Sequence, residues 1–365
     1  DTLLALQQIA ASYRRTLPLK AVVITGSNGK TSTKDFTAAV LSRRFKVIKT
    51  EGNLNNHIGL PLTLLRASAA DEIGVFEIGM NHPGEIGPLA QIAQPEVGVI
   101  TNIGVAHIEF MGSRDAIAAE KGMLAEALGS GGHLVLDTED DYTPAIAGRT
   151  RAKVIRSGAE VCVTEVRQDA DGSTFTVHEN DRSAQVQLPV PGRHMISNAL
   201  LAIAVGTIFG LTLEECAAGL AKSRLTKGRL ELKTIRGIRV IDDSYNANPD
   251  SMVAALQTLS GMPAQGRRIA VLGKMNELGV ESERGHRRVG EAAGREGIDC
   301  LVAVGTVAAW IADAAVESGV KEVIRVATTG EAADVLRKMA QPGDVMLVKG
   351  SRSVKMETIV EGLAV

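Results

Sequence analysis

Ala21-Val22-Val23-Ile24-Thr25-Gly26-Ser27-Asn28-Gly29-Lys30-Thr31-Ser32 decides how the rest of the chain is read. Residues 21–25 form an unbroken, largely β-branched run, the pattern of a strand buried on both faces of a parallel sheet. Gly26 to Gly29 then make a turn, and Lys30 to Arg43 carry a helical pattern. In a strand–turn–helix of this kind, backbone N–H groups converge on phosphate oxygens, and the positive end of the helix dipole adds to the attraction. Lys30 would neutralise β- and γ-phosphate charge, and the Thr31 hydroxyl would reach Mg²⁺. Gly26, Ser27, Asn28, Gly29, Lys30, Thr31 and Ser32 are therefore candidate phosphate-binding residues. The spacing departs from the common G-x-x-x-x-G-K-[ST] loop, because only two residues separate the glycines.

Outward from this turn, short apolar runs recur at Ile73–Ile78, Val97–Thr101 and His133–Leu136, separated by helical patterns such as Arg114–Leu128. Strands alternating with helices predict an α/β fold with a doubly wound, mainly parallel sheet. From Lys153 to Val190 the pattern becomes alternating strands with acidic, glycine-containing turns at Asp169–Ser173 and His178–Arg182, which reads as a small antiparallel β subsheet. Helical patterns resume at Met195–Gly210 and Thr212–Lys222. Near Lys227–Gly237 the rhythm restarts. Arg239–Ile241, Arg268–Leu272, Cys300–Val304, Glu322–Val326 and Asp344–Val348 predict a second, Rossmann-like α/β unit. The expected organisation is a linker helix within residues 1–17, a central domain over 18–228 and a C-terminal domain over 229–365.

The length of 365 residues is more than twice the roughly 150 of a typical domain, in keeping with two domains. Hydrophobic residues at 45% and charged residues at 22% describe a globular protein. A net charge of −2, with no basic stripe, argues against nucleic-acid binding. No apolar run approaches the ~20 residues of a membrane span. Cys162, Cys216 and Cys300 are odd in number and lack metal-ligand spacing, so free thiols in a reducing, cytoplasmic setting are expected. Asp1 opens directly into a helical pattern at Leu3–Tyr13, which reads as a chain that starts inside a longer reading frame.

Three further groups could serve chemistry at the sheet edge. Glu77 ends an apolar run, which puts its carboxylate at the C-terminal edge where open α/β sheets bind ligands. His107 lies just beyond another predicted strand. Lys121, in Glu120-Lys121-Gly122, reads by itself as a solvated helix lysine.

Several motifs occur together and in order: the Thr25–Ser32 loop, Glu51-Gly52-Asn53-Leu54-Asn55-Asn56, Glu77-Ile78-Gly79-Met80-Asn81, the segment ending His107-Ile108-Glu109, and Glu120-Lys121-Gly122. Further along stand Pro191-Gly192-Arg193-His194, Asp242-Asp243-Ser244-Tyr245-Asn246-Ala247-Asn248-Pro249 and Leu347-Val348-Lys349-Gly350-Ser351-Arg352-Ser353. The set closely resembles the Mur ligases over nearly the whole chain. Tyr245–Pro249 and Gly52–Asn56 are similar to the branch that adds D-alanyl-D-alanine to UDP-MurNAc-tripeptide. Folylpolyglutamate and cyanophycin synthetases, and a non-catalytic nucleotide-binding module, are the alternatives.

The resemblance implies ATP-dependent amide formation through an acyl phosphate in peptidoglycan precursor synthesis. It implies that Thr31 and Glu77 hold one Mg²⁺, and that His107 and a carbamoylated Lys121 belong to a second metal site. It places Asn198 at the adenine, Arg229, Asp243 and Asn246 where the C-terminal domain meets the nucleotide, and Asn53 or Asn56 near the γ-phosphate. Met195 stands after His194 where the family usually has asparagine, so one adenine hydrogen bond is expected from elsewhere. The family also has an N-terminal domain that holds the UDP-sugar; none is present in this sequence, and Leu3–Tyr13 resembles the linker that leaves it. A monomer is expected.

Overall fold

The structure, a computed structural model, describes residues 1–169 and 171–364. Ala170, within the expected turn Asp169–Ser173, and Val365, the last residue of the expected second domain, lie outside the described residues. The chain packs as two units. The first comprises Asp1–Arg167, Thr174–Pro189 and His194–Thr226; the second comprises Gln168–Ser173, Val190–Arg193 and Lys227–Val365.

The first sheet contains β1 (Lys20–Thr25), β2 (Val47–Lys49), β3 (Ile73–Glu77), β4 (Val97–Ile100) and β5 (His133–Asp137). It continues through β6 (Lys153–Ser157), β7 (Val161–Gln168), β8 (Ser173–Glu179) and β9 (Arg182–Leu188), in the order β2-β3-β1-β4-β5-β6-β7-β8-β9. Its helices are α1 (Thr2–Arg14), α2 (Lys30–Leu41), α3 (Gly59–Leu65), α4 (Ile86–Ala93) and α5 (Ile108–Met111). After them come α6 (Arg114–Glu126), α7 (Thr143–Ala147), α8 (Arg193–Ile208) and α9 (Leu213–Leu220).

β1 is buried from Ala21 onward because it lies inside the sheet, parallel to β3 on one side and β4 on the other. The registers Ile24↔Glu77 and Thr25↔Ile100 bring the ends of all three strands level. The turn leaving β1 must therefore sit between the segments that leave β3 and β4. The β-rich segment does not stand apart from this sheet. β6 runs parallel to β5, and β7 to β9 are hydrogen-bonded onto it as further strands.

Side-chain size explains how the faces close. Phe76 is fully buried in the cluster that includes Leu19, Ala21, Val23 and Leu64. Its ring lies against Gly74, where a Cβ would come within 2.3 Å of the ring atoms. On the other side, α2 is buried nearly all round, since α9 packs backbone to backbone against it: a Cβ on Gly219 would lie 2.7 Å from the Val40 Cα.

The second sheet holds β10 (Glu231–Ile235), β11 (Ile238–Asp243), β12 (Arg268–Gly273), β13 (Cys300–Val304), β14 (Glu322–Val326) and β15 (Val345–Lys349). The order is β10-β11-β15-β12-β13-β14, with β10 antiparallel to β11 and every other neighbouring pair parallel. Its helices are α10 (Pro249–Gly261), α11 (Ser282–Arg295), α12 (Ala309–Glu317), α13 (Thr329–Met339) and α14 (Glu357–Leu363). Val240, Val271, Val302, Met346 and Val348 form the centre of its core.

All three cysteines are free. Burial pushes the Cys216 and Cys300 thiols up to about 12, which keeps them protonated and unreactive. Among the described residues, no helix is long and apolar enough to cross a membrane.

Phe76→Ala removes a ring for which only a glycine at position 74 leaves room. It should destabilise the first unit by about 3–5 kcal/mol, whereas Val316→Ala, at an exposed site, should stay within about 0.5 kcal/mol. Urea unfolding of both variants measures the difference.

Candidate active site

The turn after β1 is fixed from the neighbouring strand. Ser27 N–H donates to the Asn102 carbonyl at 2.9 Å, and Asn28 N–H to the Asn102 side-chain oxygen at 3.0 Å. The Thr101 hydroxyl and the Asn102 amide both donate to the Asn28 carbonyl, and Gly104 N–H donates to Ser27 Oγ at 2.8 Å. The glycines are obligatory. Gly26 has φ +147°, and a Cβ there would fall 1.8 Å from Thr101 Oγ1; Gly29 has φ +80°, and a Cβ there would fall 2.3 Å from Asn198 Oδ1.

The sequence assigned phosphate binding to the whole turn. In the structure the Ser27 and Asn28 amides are committed to Asn102. Helix α2 follows, with Gly29 as its N-cap and no side-chain cap hydrogen bond. Lys30 folds back over the turn, donating to the carbonyls of Gly26 at 2.7 Å and Ser27 at 3.4 Å. Thr31 and Ser32 are buried in the first helical turn.

Glu77 is 2% exposed at the end of β3. Its backbone N–H donates to Thr50 Oγ1 at 2.9 Å, and its Oε1 accepts from the Asn55 amide at 2.8 Å. Its Oε2 is buried with no hydrogen-bond partner. The Asn55 carbonyl in turn accepts from Gly79 N–H at 2.8 Å. Asn55 is thus the asparagine of the 51–56 loop that reaches the acid. Asn53 is exposed, and Asn56 points elsewhere: its Oδ1 accepts from Ile58 and Gly59 N–H at the entrance to α3. Nothing in the spacing of the three asparagines distinguishes them. The return of the loop to the end of β3 does.

Lys121 corrects its reading as a solvated lysine. It is fully buried on α6, and its Nζ has no hydrogen-bond partner. Burial pushes its ammonium well below the usual lysine range, and the positive charge of Lys30 pushes it further, while Glu120 works in the opposite direction. The Glu120 carboxylate is itself occupied, accepting from Gly84 and Ile86 N–H at 2.8 Å each. Gly122 lets the Arg149 guanidinium lie across the helix, where it donates to the Ala118 and Ala119 carbonyls. His107 precedes α5 with φ +65°, a left-handed conformation uncommon for a non-glycine residue, and α5 packs on α6.

Asn198, on α8, is 5% exposed and lies against Gly29 of the turn. Its amide donates to the sulfur of Met195 at 3.6 Å. In the second unit, Arg229 stacks over the Tyr245 ring at 4.2 Å, and Asp243 pairs with Lys349 at 2.6 Å. Asn246 is exposed.

These arrangements have counterparts among known proteins. The family described as "Mur ligase middle domain" matches residues 24–206, and "Mur ligase, glutamate ligase domain" matches residues 228–352. The UDP-N-acetylmuramoyl-tripeptide–D-alanyl-D-alanine ligase of Bacillus subtilis (strain 168) is 39% identical, over all of this chain and 80% of its own length. The chain belongs to the Mur ligase family, in its MurF branch. MurF from Acinetobacter baumannii superposes with a TM-score of 0.92 at 34% identity, covering 100% of this chain and 81% of that one. MurF from Thermotoga maritima, solved in complex with ADP, gives 0.90 at 26% identity, covering 100% and 84%.

The residues expected to hold metal are short of charge. Among the described residues, no three His, Cys, Asp or Glu side chains gather as a ready metal site. Glu77, Thr31 and His107 supply one carboxylate between them, and Lys121 as an amine supplies no anion. Sequence reasoning missed Asn55, Asn102 and Arg149. Each acts by holding another group, and which group it holds cannot be read from local spacing.

Asn55→Ala removes the donor that orients Glu77. Outer partners of a ligating carboxylate typically contribute about 10–100-fold to metal affinity or activity. The Mg²⁺ concentration required for half-maximal ligation should rise by about tenfold or more in this variant, with ATP binding in the absence of metal little changed. Titration of activity against Mg²⁺ checks it.

Proposed function

We infer that this chain is an ATP-dependent amide ligase that joins D-alanyl-D-alanine to UDP-MurNAc-tripeptide, a step of peptidoglycan precursor synthesis. One observation carries the reading: similarity over the whole chain to ligases of that name, which accompanies a glycine turn, a buried acid at the end of β3 and a buried lysine that feels the charge of Lys30. The γ-phosphoryl group of ATP passes to the terminal carboxylate of the tripeptide, giving an acyl phosphate and ADP. The dipeptide amine then attacks the acyl carbon, the carbon–oxygen bond to phosphate breaks, and phosphate departs as the amine loses a proton. The detour is chemically necessary, since a carboxylate cannot expel oxide.

Each residue of the edge has a part in this. Lys30 exchanges the Gly26 and Ser27 carbonyls for the β- and γ-phosphates, with the first turn of α2 receiving the remaining charge. Asn198 is assigned to the nucleotide, as are Arg229, Asp243 and Asn246, on the likeness to the family. Thr31 and Glu77 hold one Mg²⁺, with Asn55 orienting the acid; His107 and Lys121 hold a second. Mg²⁺ supplies neutralisation of the phosphate oxygens. The residues fit this, because Glu77 Oε2 and Lys121 Nζ are both buried without a hydrogen-bond partner.

Lys121 fits only as a carbamate. Its burial favours the neutral amine, which can add CO₂ and release one proton. The product replaces a neutral amine with an anion that attracts Lys30. The protein is further proposed to act as a cytoplasmic monomer.

Lys30→Ala should abolish ligation and leave the unfolding midpoint nearly unchanged, because the ammonium braces the turn it covers rather than the core. Wild-type turnover in a ligation assay would refute the assignment. Lys121→Ala should lose roughly a hundredfold or more of the rate, with partial recovery on adding short carboxylic acids. Carbon-13 NMR after labelling with enriched bicarbonate should show a carbamate signal in the parent and none in the variant.

A further inference from the structure

Lys349 ends β15 and Asp243 ends β11, and the two stand opposite each other in the parallel ladder. Lys349 Nζ lies 2.6 Å from Asp243 Oδ2 and also donates to the Asn246 carbonyl at 2.9 Å. Asp243 Oδ1 accepts from Leu230 N–H at 3.3 Å, so the carboxylate also holds the chain beside Arg229. Two residues beyond Lys349, the fully buried Ser351 contacts the Ala247 carbonyl at 3.4 Å through its hydroxyl, which also accepts from Asn276 N–H at 2.8 Å. The end of β15 thus grips two consecutive carbonyls of the 244–248 segment. The Asn246 side chain is left exposed, and Tyr245 half-buried beneath Arg229.

The grip is an inefficient way to gain stability. Burial pushes the Lys349 ammonium down while Asp243 pulls it back up. Taking two charges out of water largely cancels their attraction, and apolar residues of similar volume commonly do as well. A fixed charge does one thing that packing cannot: it pins the direction of a backbone carbonyl. A segment whose carbonyls point inward to such a charge presents its side chains outward in one orientation.

We propose that Lys349 is a positioning residue for the nucleotide, acting through Asp243 and the Asn246 carbonyl to preset the 244–248 segment. The proposal rests on the reading of Arg229 and Asn246 as nucleotide-facing. It goes beyond that reading by assigning their geometry to a lysine that touches no substrate.

The test compares Lys349→Met with Arg229→Ala in the full chain, with Lys349→Gln as a second variant should the methionine form not fold. In Lys349→Met, KM for ATP should rise by about tenfold, and KM for D-alanyl-D-alanine should change by less than about twofold. Amide exchange should accelerate over 244–248 while β11 and β15 remain protected. If ATP KM rises in Arg229→Ala but not in the lysine variant, the positioning role is overturned. Protection lost evenly across the second sheet also overturns it, by showing a purely structural lysine. If neither variant affects ATP KM, the nucleotide reading itself fails and the proposal falls with it.

Discussion

The first unit depends on one constraint: β1 lies between β3 and β4, with its end level with theirs. From that placement the turn after β1 can be held only by the loops leaving its two neighbours. Asn102, just past β4, satisfies two of its amides and one of its carbonyls, while β3 delivers Glu77 beside Ile24. The turn and the acid are thus set by strand register, which is stiff, rather than by loop conformation, which is not. Open α/β sheets bind ligands at this C-terminal edge.

Among the described residues three lysines are buried, and they differ in their partners. Lys34 and Lys349 are nearly inaccessible, and each has a carboxylate, Asp35 at 3.3 Å and Asp243 at 2.6 Å. Burial pushes Asp35 up, but Lys34 and Lys49 outweigh it and hold the acid below the usual carboxylate range. Asp35 also receives Thr226, where the chain leaves the first unit. Lys121 breaks the pattern, since the adjacent Glu120 is used to cap the start of α4. An unpaired buried amine is costly.

Much of this was legible in the sequence because it rests on continuous patterns. The run Ala21–Thr25 announced a strand buried on both faces, and the apolar runs at residues 73–78 and 97–101 ended where β3 and β4 end, give or take a residue. Strand β2, of three residues, and the antiparallel edge β10 were not seen, being short or half-exposed. Family membership was legible from ordered motifs. Burial of Lys121 was not, since a lysine's local sequence says nothing about the groups packed over its helix. The role of Asn55 over Asn53 and Asn56 depends on a backbone bond to Gly79, a contact between loops that no local spacing encodes.

The folded-back Lys30 has a kinetic implication. Its ammonium braces the carbonyls of Gly26 and Ser27, serving as the turn's internal counter-ion. On the proposed reading of Lys30, binding of a triphosphate is an exchange of one acceptor set for another, with little new backbone to order. Preorganisation of this sort lowers the entropic cost of association. On that reading, capture is limited by encounter and by the movement of one side chain rather than by slower loop rearrangement.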